Sequence, residues 1–218
     1  MFSKLLDRLE VRLGRYWGIR NLITIIVAAM AVVYVADYVL GPVVGLYLSN
    51  YLAFDRSLVM RGQVWRLITF IITPPDENIL FIVMQLMFVY FTGTMLQNRW
   101  GTLRFNLFYL CGMLGSLIAG FITGYATSYY VNLSLLLAVA ILYPMMQVNL
   151  YGVLPVRMKW LALIELLLIL PGLLSGGWGR RIAIIVSLLN VLLFFSDRLI
   201  QQAKEAKRRH EWKKNWRR

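Results

Sequence analysis

Two carboxylates lie inside apolar stretches, where an ionised side chain is costly. Asp37 lies in a stretch that begins near Leu22, and Glu165 lies in one that begins near Trp160. Ionisable groups at such positions often serve ion or substrate pathways, which suggests a small transporter. The alternative is that each carboxylate meets water or a basic residue near a helix end. No inverted repeat is visible, and this favours the second interpretation.

Nucleophilic chemistry lacks a base in this sequence. The chain has one histidine, His210, near its basic C-terminus. A serine needs an adjacent base to act as a nucleophile, and arginine stays protonated. The single cysteine, Cys111, lies in an apolar run and cannot form an intramolecular disulfide. We find no metal-ligand cluster, phosphate loop or cofactor fingerprint, so the sequence predicts neither a metal nor a cofactor.

The composition is that of a protein embedded in a membrane. Of 218 residues, 60% are hydrophobic and only 15% are charged. A soluble domain is nearer half apolar and a quarter charged. The apolar excess also excludes a disordered chain. The elements that position any reactive group are therefore expected to be membrane-spanning helices.

Apolar runs of suitable length predict an all-α bundle of six spans. The fifth run is short, so five spans with a re-entrant segment are the alternative. An amphipathic helix is expected over 1–20, the membrane domain over 21–199 and a basic tail over 200–218. The spans are predicted at about 22–40, 79–96, 103–125, 129–148, 160–174 and 182–199.

The basic residues predict that both termini are cytoplasmic. With that orientation, eighteen lysines and arginines lie on the cytoplasmic side and five on the other. The net charge of +13 is concentrated at the two ends of the chain. We expect these ends to bind anionic lipid rather than nucleic acid. The compact length favours a bacterial plasma membrane over the endoplasmic reticulum.

Two local patterns predict how the bundle is held together. The loop at about 49–75 mixes aromatic and basic residues, which predicts one or two short helices lying in the membrane interface. The third span carries small residues four positions apart, a spacing that lets helix backbones approach closely. These residues are Gly112, Ser116, Gly120 and Gly124.

The loop motif resembles a known family. Residues 62–69 match the pattern Gly-x-x-Trp-Arg-x-x-Thr, with Trp65 and Arg66 at its centre. Rhomboid proteases and Derlins carry this pattern in the loop after their first helix. Gly93 and the pair at 100–101 suit the next helices of the same family. The resemblance implies a six-helix fold and gives Trp65 and Arg66 the task of bracing the loop on the bundle.

The same resemblance implies that the proteolytic site has been lost. Rhomboid proteases use a serine on the fourth helix and a histidine on the sixth. Ser134 matches the serine without its flanking glycines, and Arg181 stands where the histidine would be. Asn78 and Ile82 occupy the two positions that stabilise the oxyanion in the proteases.

A divergent rhomboid-like pseudoprotease related to Derlins is therefore the preferred interpretation. Such a protein would bind transmembrane clients for quality control, traffic or degradation by a separate protease. Two alternatives stay open. One is an intramembrane serine protease with an atypical site around Ser134, and the other is a small transporter using Asp37 and Glu165.

Overall fold

The computed structural model describes residues 18–74, 78–150, 154–174 and 176–215, and over these ranges the chain is mainly α-helical. The first segment contains α1 (Leu22–Val44), α2 (Leu48–Leu52), α3 (Arg56–Met60), α4 (Arg66–Thr69) and a 3-10 turn (Phe70–Ile72). After it come α5 (Ile79–Trp100), α6 (Thr102–Thr123), α7 (Tyr129–Leu142), β1 (Gln147–Leu150), β2 (Leu154–Arg157), α8 (Met158–Leu174) and α9 (Trp178–Asn215).

The six longer helices, α1 and α5 to α9, pack side by side. Each contacts the next in this series, and α9 also packs on α6 and α7. Successive helices run in opposite directions, so the described connections gather at two ends. The loop end holds α2, α3, α4 and residues 124–128, and the strand end holds Gly101 and the two strands.

The short helix α7 lies at the centre of the bundle. Every residue from Leu133 to Ala140 is buried, so α7 is covered on all sides. A helix that is apolar all round belongs in such a core. By contrast, α1 lies at one edge on α5, and α8 lies at another edge on α7 and α9. Both of these edge helices expose many apolar side chains.

Four helices within the described ranges are long and apolar enough to cross a membrane. They are α1, α5, α6 and the Trp178–Ser196 part of α9. The central helix α7 is apolar but has 14 residues, and α8 has 17. At 1.5 Å per residue, α7 spans about 21 Å of a hydrocarbon core about 30 Å thick. The prediction of six spans is thus supported for four of them.

The prediction of an all-α chain is confirmed for most of the described residues, but one segment departs from it. The segment between α7 and α8 contains an antiparallel strand pair, in which Gln147 pairs with Arg157 and Leu150 with Leu154. This segment lies at the strand end, outside the long helices. Its backbone groups cannot rely on a helix for hydrogen bonds, and strand pairing satisfies them.

Two predicted domain boundaries, at residues 20 and 200, do not coincide with boundaries in the structure. The amphipathic helix expected over 1–20 falls mainly on 1–17, which lie outside the described residues. Residues 18–20 are not helical. The predicted tail begins at residue 200, whereas the helix α9 continues through this point to Asn215.

The loop between α1 and α5 is folded onto the bundle. Phe54, Phe70 and Ile71 are buried, and Phe54 packs edge-on against Phe121 of α6 at 5.4 Å. Asp55 caps α3 by accepting hydrogen bonds from Ser57 and Leu58. The hydrogen bonds from these residues, led by that of the Ser57 hydroxyl, hold the pKa of Asp55 below its ordinary value. The apolar residues of this loop are thus anchors on the bundle.

Candidate functional site

A cleft of about 460 Å³ opens between α5 and α8, with α7 as its floor. We call it the lateral cleft. It lies toward the loop end, where Thr73 and Pro74 close it from one side and residues 126–128 from another. Its walls are largely apolar, and its polar side chains come from α5, α7, α8 and the adjoining loops. They include Gln85, Ser128, Tyr129, Asn132 and Glu165.

The polar groups of the lateral cleft are incompletely paired. The Tyr129 hydroxyl donates a hydrogen bond to Oε1 of Glu165, so the carboxylate is held at the wall of the cleft. Both side-chain atoms of Asn132 are shielded from solvent and find no hydrogen-bond partner among the described residues. An amide without partners in an apolar environment costs free energy. Asn132 lines the lateral cleft, so rotation of its side chain toward the opening would let a polar guest satisfy the amide.

Glu165 pairs with a tyrosine and not with Lys159, the basic residue six positions earlier. The ammonium group of Lys159 lies over the ring of Trp160, 5.3 Å from its centre. Tyr129, which is 36 residues away, supplies the hydrogen bond to Glu165 instead. The carboxylate of Glu165 is thus tied to the lateral cleft.

Asp37 serves a different element. It lies on α1 and accepts hydrogen bonds from the backbone N–H groups of Leu48 and Ser49 at the start of α2. The first N–H groups of a helix have no partner within it, and a carboxylate satisfies them well. Asp37 therefore positions the loop against α1, in a cleft other than the one that holds Glu165.

Ser134 is fully buried and faces away from the lateral cleft. Its hydroxyl donates to the carbonyl of Val131 at 2.7 Å and accepts from Nδ2 of Asn190 at 3.4 Å. The same amide of Asn190 donates to the carbonyl of Phe108 at 3.3 Å. Its neighbour Leu133 lines the lateral cleft, but Ser134 does not. These contacts make Ser134 part of the packing between α6, α7 and α9.

The other three positions predicted from the protease pattern have separate structural contacts. Arg181 donates from Nη2 to the carbonyl of Leu174 at 2.6 Å. Asn78 caps α5 by accepting from the N–H of Leu80, and Ile82 is buried in the core. In the part of the chain that the structure describes, no hydrogen bond links any of them to Ser134.

The motif at 62–69 binds the end of a neighbouring helix. Trp65 donates from Nε1 to the carbonyl of Tyr51 at 3.2 Å, and Thr69 donates to that of Leu52 at 2.8 Å. The buried guanidinium of Arg66 donates to the carbonyls of Asn50, at 2.9 Å, and Ala53. The last carbonyls of a helix lack partners within it, so these three side chains complete α2.

The backbone explains the first residue of the motif. Gly62 has φ of +99° in the turn between α3 and α4. A residue with a Cβ is strained there, whereas glycine is not. The turn brings the motif back toward α2.

The small-residue strip on α6 contains three packing positions, not four. A Cβ on Gly112 would lie 3.3 Å from Val131, and one on Gly120 would lie 2.9 Å from Phe54. Ser116 between them is buried. Gly124 does not pack, because it ends α6 with φ of +98° and has open space around it. Its presence in the strip follows from its role as a helix cap.

A comparison with known protein families identifies the chain. Residues 20–195 match the family described as "Eukaryotic integral membrane protein (DUF1751)". The chain belongs to this family. No curated protein matches it in sequence. The match covers every described helix except the end of α9.

Membership in this family corrects the predicted location. The family is eukaryotic, so the expectation of a bacterial plasma membrane is wrong, while the integral membrane character stands. The length of a membrane domain reports the number of its helices and not the membrane that holds it. The short length was therefore no evidence for a bacterial membrane.

Sequence reasoning missed two polar residues that face α7. Ser187 donates to the carbonyl of Tyr130 at 2.8 Å, and Asn190 bonds to Ser134 as described above. The two residues are three positions apart in an otherwise apolar run, which places them on one face of α9. That spacing was the available signal. Asn132 was also missed, and its unpaired amide is visible only in the folded chain.

Proposed function

We propose that this chain is a catalytically inactive rhomboid-like protein that binds transmembrane client helices at the lateral cleft. The observation that carries the proposal is the unpaired amide of Asn132, beside the Tyr129–Glu165 pair, in an opening between α5 and α8. A client helix lies against this opening and inserts a polar side chain. The gain is a hydrogen bond to a group that is otherwise unsatisfied.

The motif at 62–69 supports the rhomboid-like part of the proposal. Its arginine and tryptophan brace the loop, as the family resemblance implies for this pattern. One long helix, α1, precedes that loop and five long helices follow it, which is also the order that the resemblance implies. Delivery of clients to a separate protease, for quality control or degradation, belongs to the same proposal.

The environment of Ser134 supports the inactive part. A serine nucleophile needs a base within about 3 Å of its hydroxyl. The nearest polar partner of Ser134 on α9 is the amide of Asn190, which does not accept a proton at neutral pH. A substrate in the lateral cleft would meet Leu133 and Leu136 instead of the serine.

Transport through the two carboxylates receives no comparable support. Asp37 and Glu165 lie in different clefts, and each already accepts hydrogen bonds from its own surroundings. A proton or ion pathway requires groups that exchange partners along a line through the membrane. We therefore retain client binding as the proposed function.

Client binding is tested with defined helices in lipid vesicles. A leucine-rich spanning peptide with one central asparagine is expected to bind about three- to thirtyfold more tightly than its all-leucine counterpart, as one interhelical hydrogen bond provides. Binding is measured by energy transfer between labelled peptide and protein. Asn132→Leu combined with Glu165→Leu should remove the difference.

The matched control is Thr94→Val. Thr94 lies on α5, and its buried hydroxyl also finds no hydrogen-bond partner among the described residues. It does not line the lateral cleft. This variant should keep the preference for the asparagine peptide. Equal binding of the two peptides to the wild-type protein would overturn the proposal.

The absence of protease activity is tested separately with a serine-directed fluorophosphonate probe. We expect no labelling of the wild-type protein in the membrane, because Ser134 is buried and its hydroxyl contacts no base among the described residues. Arg181→His should not create labelling, since the side chain of Arg181, on the first turn of α9, is bonded to the carbonyl of Leu174 at the end of α8. Labelling that disappears in Ser134→Ala would show an active serine and contradict the proposal.

A further inference from the structure

A second cleft, of about 830 Å³, lies at the loop end between α1, α2 and the start of α5. We call it the tyrosine cleft. Three of its lining residues are tyrosines, Tyr34, Tyr38 and Tyr47, and the carboxylate of Asp37 lies among them. It is distinct from the lateral cleft, although both are lined by Ala53, Thr73 and Pro74.

Two of the rings stack on each other and the third packs on the same helix. Tyr34 and Tyr38 are one helical turn apart on α1, and their rings stack with centres 6.5 Å apart and planes inclined by 21°. Tyr47 comes from the start of α2 and packs on Gly41, where a Cβ would lie 2.4 Å from its ring. The glycine therefore gives this third ring its place beside α1.

The charge in the tyrosine cleft favours a cation. Among the described residues, Asp37 accepts hydrogen bonds from the backbone N–H groups of Leu48 and Ser49. No lysine or arginine of the described ranges forms an ion pair with it. Aromatic rings together with a carboxylate are the groups that recognise quaternary ammonium, which is attracted to the ring faces and has no hydrogen to donate.

The position of the tyrosine cleft favours a lipid as the source of this cation. The cleft lies at the end of α1, one of the four helices able to cross a membrane. Ile25 and Val32, which lie on α1 further from the loop end than the tyrosine cleft, are exposed, as expected for a surface in contact with acyl chains. Tyr47 lies at the loop end just before α2, and tyrosines at a helix end lie at headgroup depth.

Polar groups beside the cation site suit a phosphate. Asn50 and Asn78 line the tyrosine cleft. Asn78 caps α5 with its side-chain oxygen, which leaves its amide N–H groups available to donate. A phosphodiester next to the ammonium group would therefore meet hydrogen-bond donors.

We propose that the tyrosine cleft binds the headgroup of a choline phospholipid. The trimethylammonium group lies against the tyrosine rings near Asp37, the phosphate lies near the asparagine amides, and the acyl chains follow the exposed face of α1. This site is independent of client binding at the lateral cleft.

The protein is tested in vesicles of equal parts phosphatidylcholine and phosphatidylethanolamine, which has the same phosphate and no net charge but lacks the quaternary ammonium. After extraction in a maltoside detergent, the lipid that stays bound is quantified by mass spectrometry. We expect phosphatidylcholine to be enriched in the wild-type protein, and Tyr38→Leu to lower the enrichment about three- to tenfold. Asp37→Asn keeps acceptor geometry while removing the charge, and should have a similar effect.

The matched control is Tyr51→Leu. Tyr51 is an exposed tyrosine of α2 that does not line the tyrosine cleft. Its contact with Trp65 uses the backbone carbonyl and survives the change. This variant should retain the wild-type enrichment.

Two results would overturn the proposal. One is equal retention of the two lipids by the wild-type protein, and the other is an enrichment that Tyr38→Leu leaves unchanged. Titration with free phosphocholine distinguishes the sources. If phosphocholine binds at micromolar concentration while phosphatidylcholine is not enriched, the tyrosine cleft recognises a soluble ligand and the lipid assignment is wrong.

Discussion

Replacing Arg66 with alanine is expected to lower the free energy of unfolding by about 3–5 kcal/mol, because several charge-assisted hydrogen bonds are lost at once. The guanidinium is buried and donates to two carbonyls at the end of α2 and to the side chain of Gln63 at 2.7 Å. Without the guanidinium, these acceptors lose their hydrogen-bond donor in a buried region where water does not take its place. The loop should then detach from the bundle.

The measurement is thermal unfolding of purified protein in detergent, with Arg61→Ala as the matched control. Arg61 is an exposed arginine five positions earlier in the same loop, so its removal should change stability little. Arg66→Lys should recover only part of the loss, because an ammonium group cannot reproduce the fork of a guanidinium. Wild-type stability of Arg66→Ala would show that the loop is held by other contacts.

Trp65→Ala should cost less than Arg66→Ala. The indole makes one hydrogen bond, to the carbonyl of Tyr51, and about half of the side chain is exposed. One neutral hydrogen bond contributes about 1 kcal/mol. The difference between the stability losses of the two variants therefore reports how deeply each side chain of the motif is buried.

Gly93→Ala is expected to destabilise the protein by about 1–3 kcal/mol through overpacking between α1 and α5. A Cβ at this position would lie 2.3 Å from Cγ1 of Ile23 and 3.0 Å from its Cβ. Because Ile23 is buried, its side chain has no open space to move into. The added methyl group should push α1 away from the bundle.

A double variant tests the mechanism of this effect. Ile23→Ala alone should cost about 2–5 kcal/mol by leaving a cavity. Combined with Gly93→Ala, it should cost less than the sum, since the new methyl group enters the space that isoleucine vacated. Gly177→Ala is the control, because nothing lies within 4 Å of a Cβ at Gly177. Strict additivity of the two changes would exclude a direct clash.

Local sequence pattern was sufficient for most of the helices. The predicted second span at 79–96 corresponds to α5 (Ile79–Trp100), and the third at 103–125 corresponds to α6 (Thr102–Thr123). Apolar runs of this length have few alternatives to a helix, and glycines at 101 and 124 mark where helices end. The motif at 62–69 could also be recognised from the sequence, because tryptophan and arginine side chains in a short loop require hydrogen-bond and packing partners.

The sequence by itself determined the class of protein and the course of the long helices. The pairings between side chains that are far apart in sequence were decided only by tertiary structure. Glu165 meets Tyr129 across 36 positions, and Ser134 meets Asn190 across 56. Each pairing depends on which helix faces are turned toward one another. That choice results from packing over the entire bundle, and no local pattern of residues contains it.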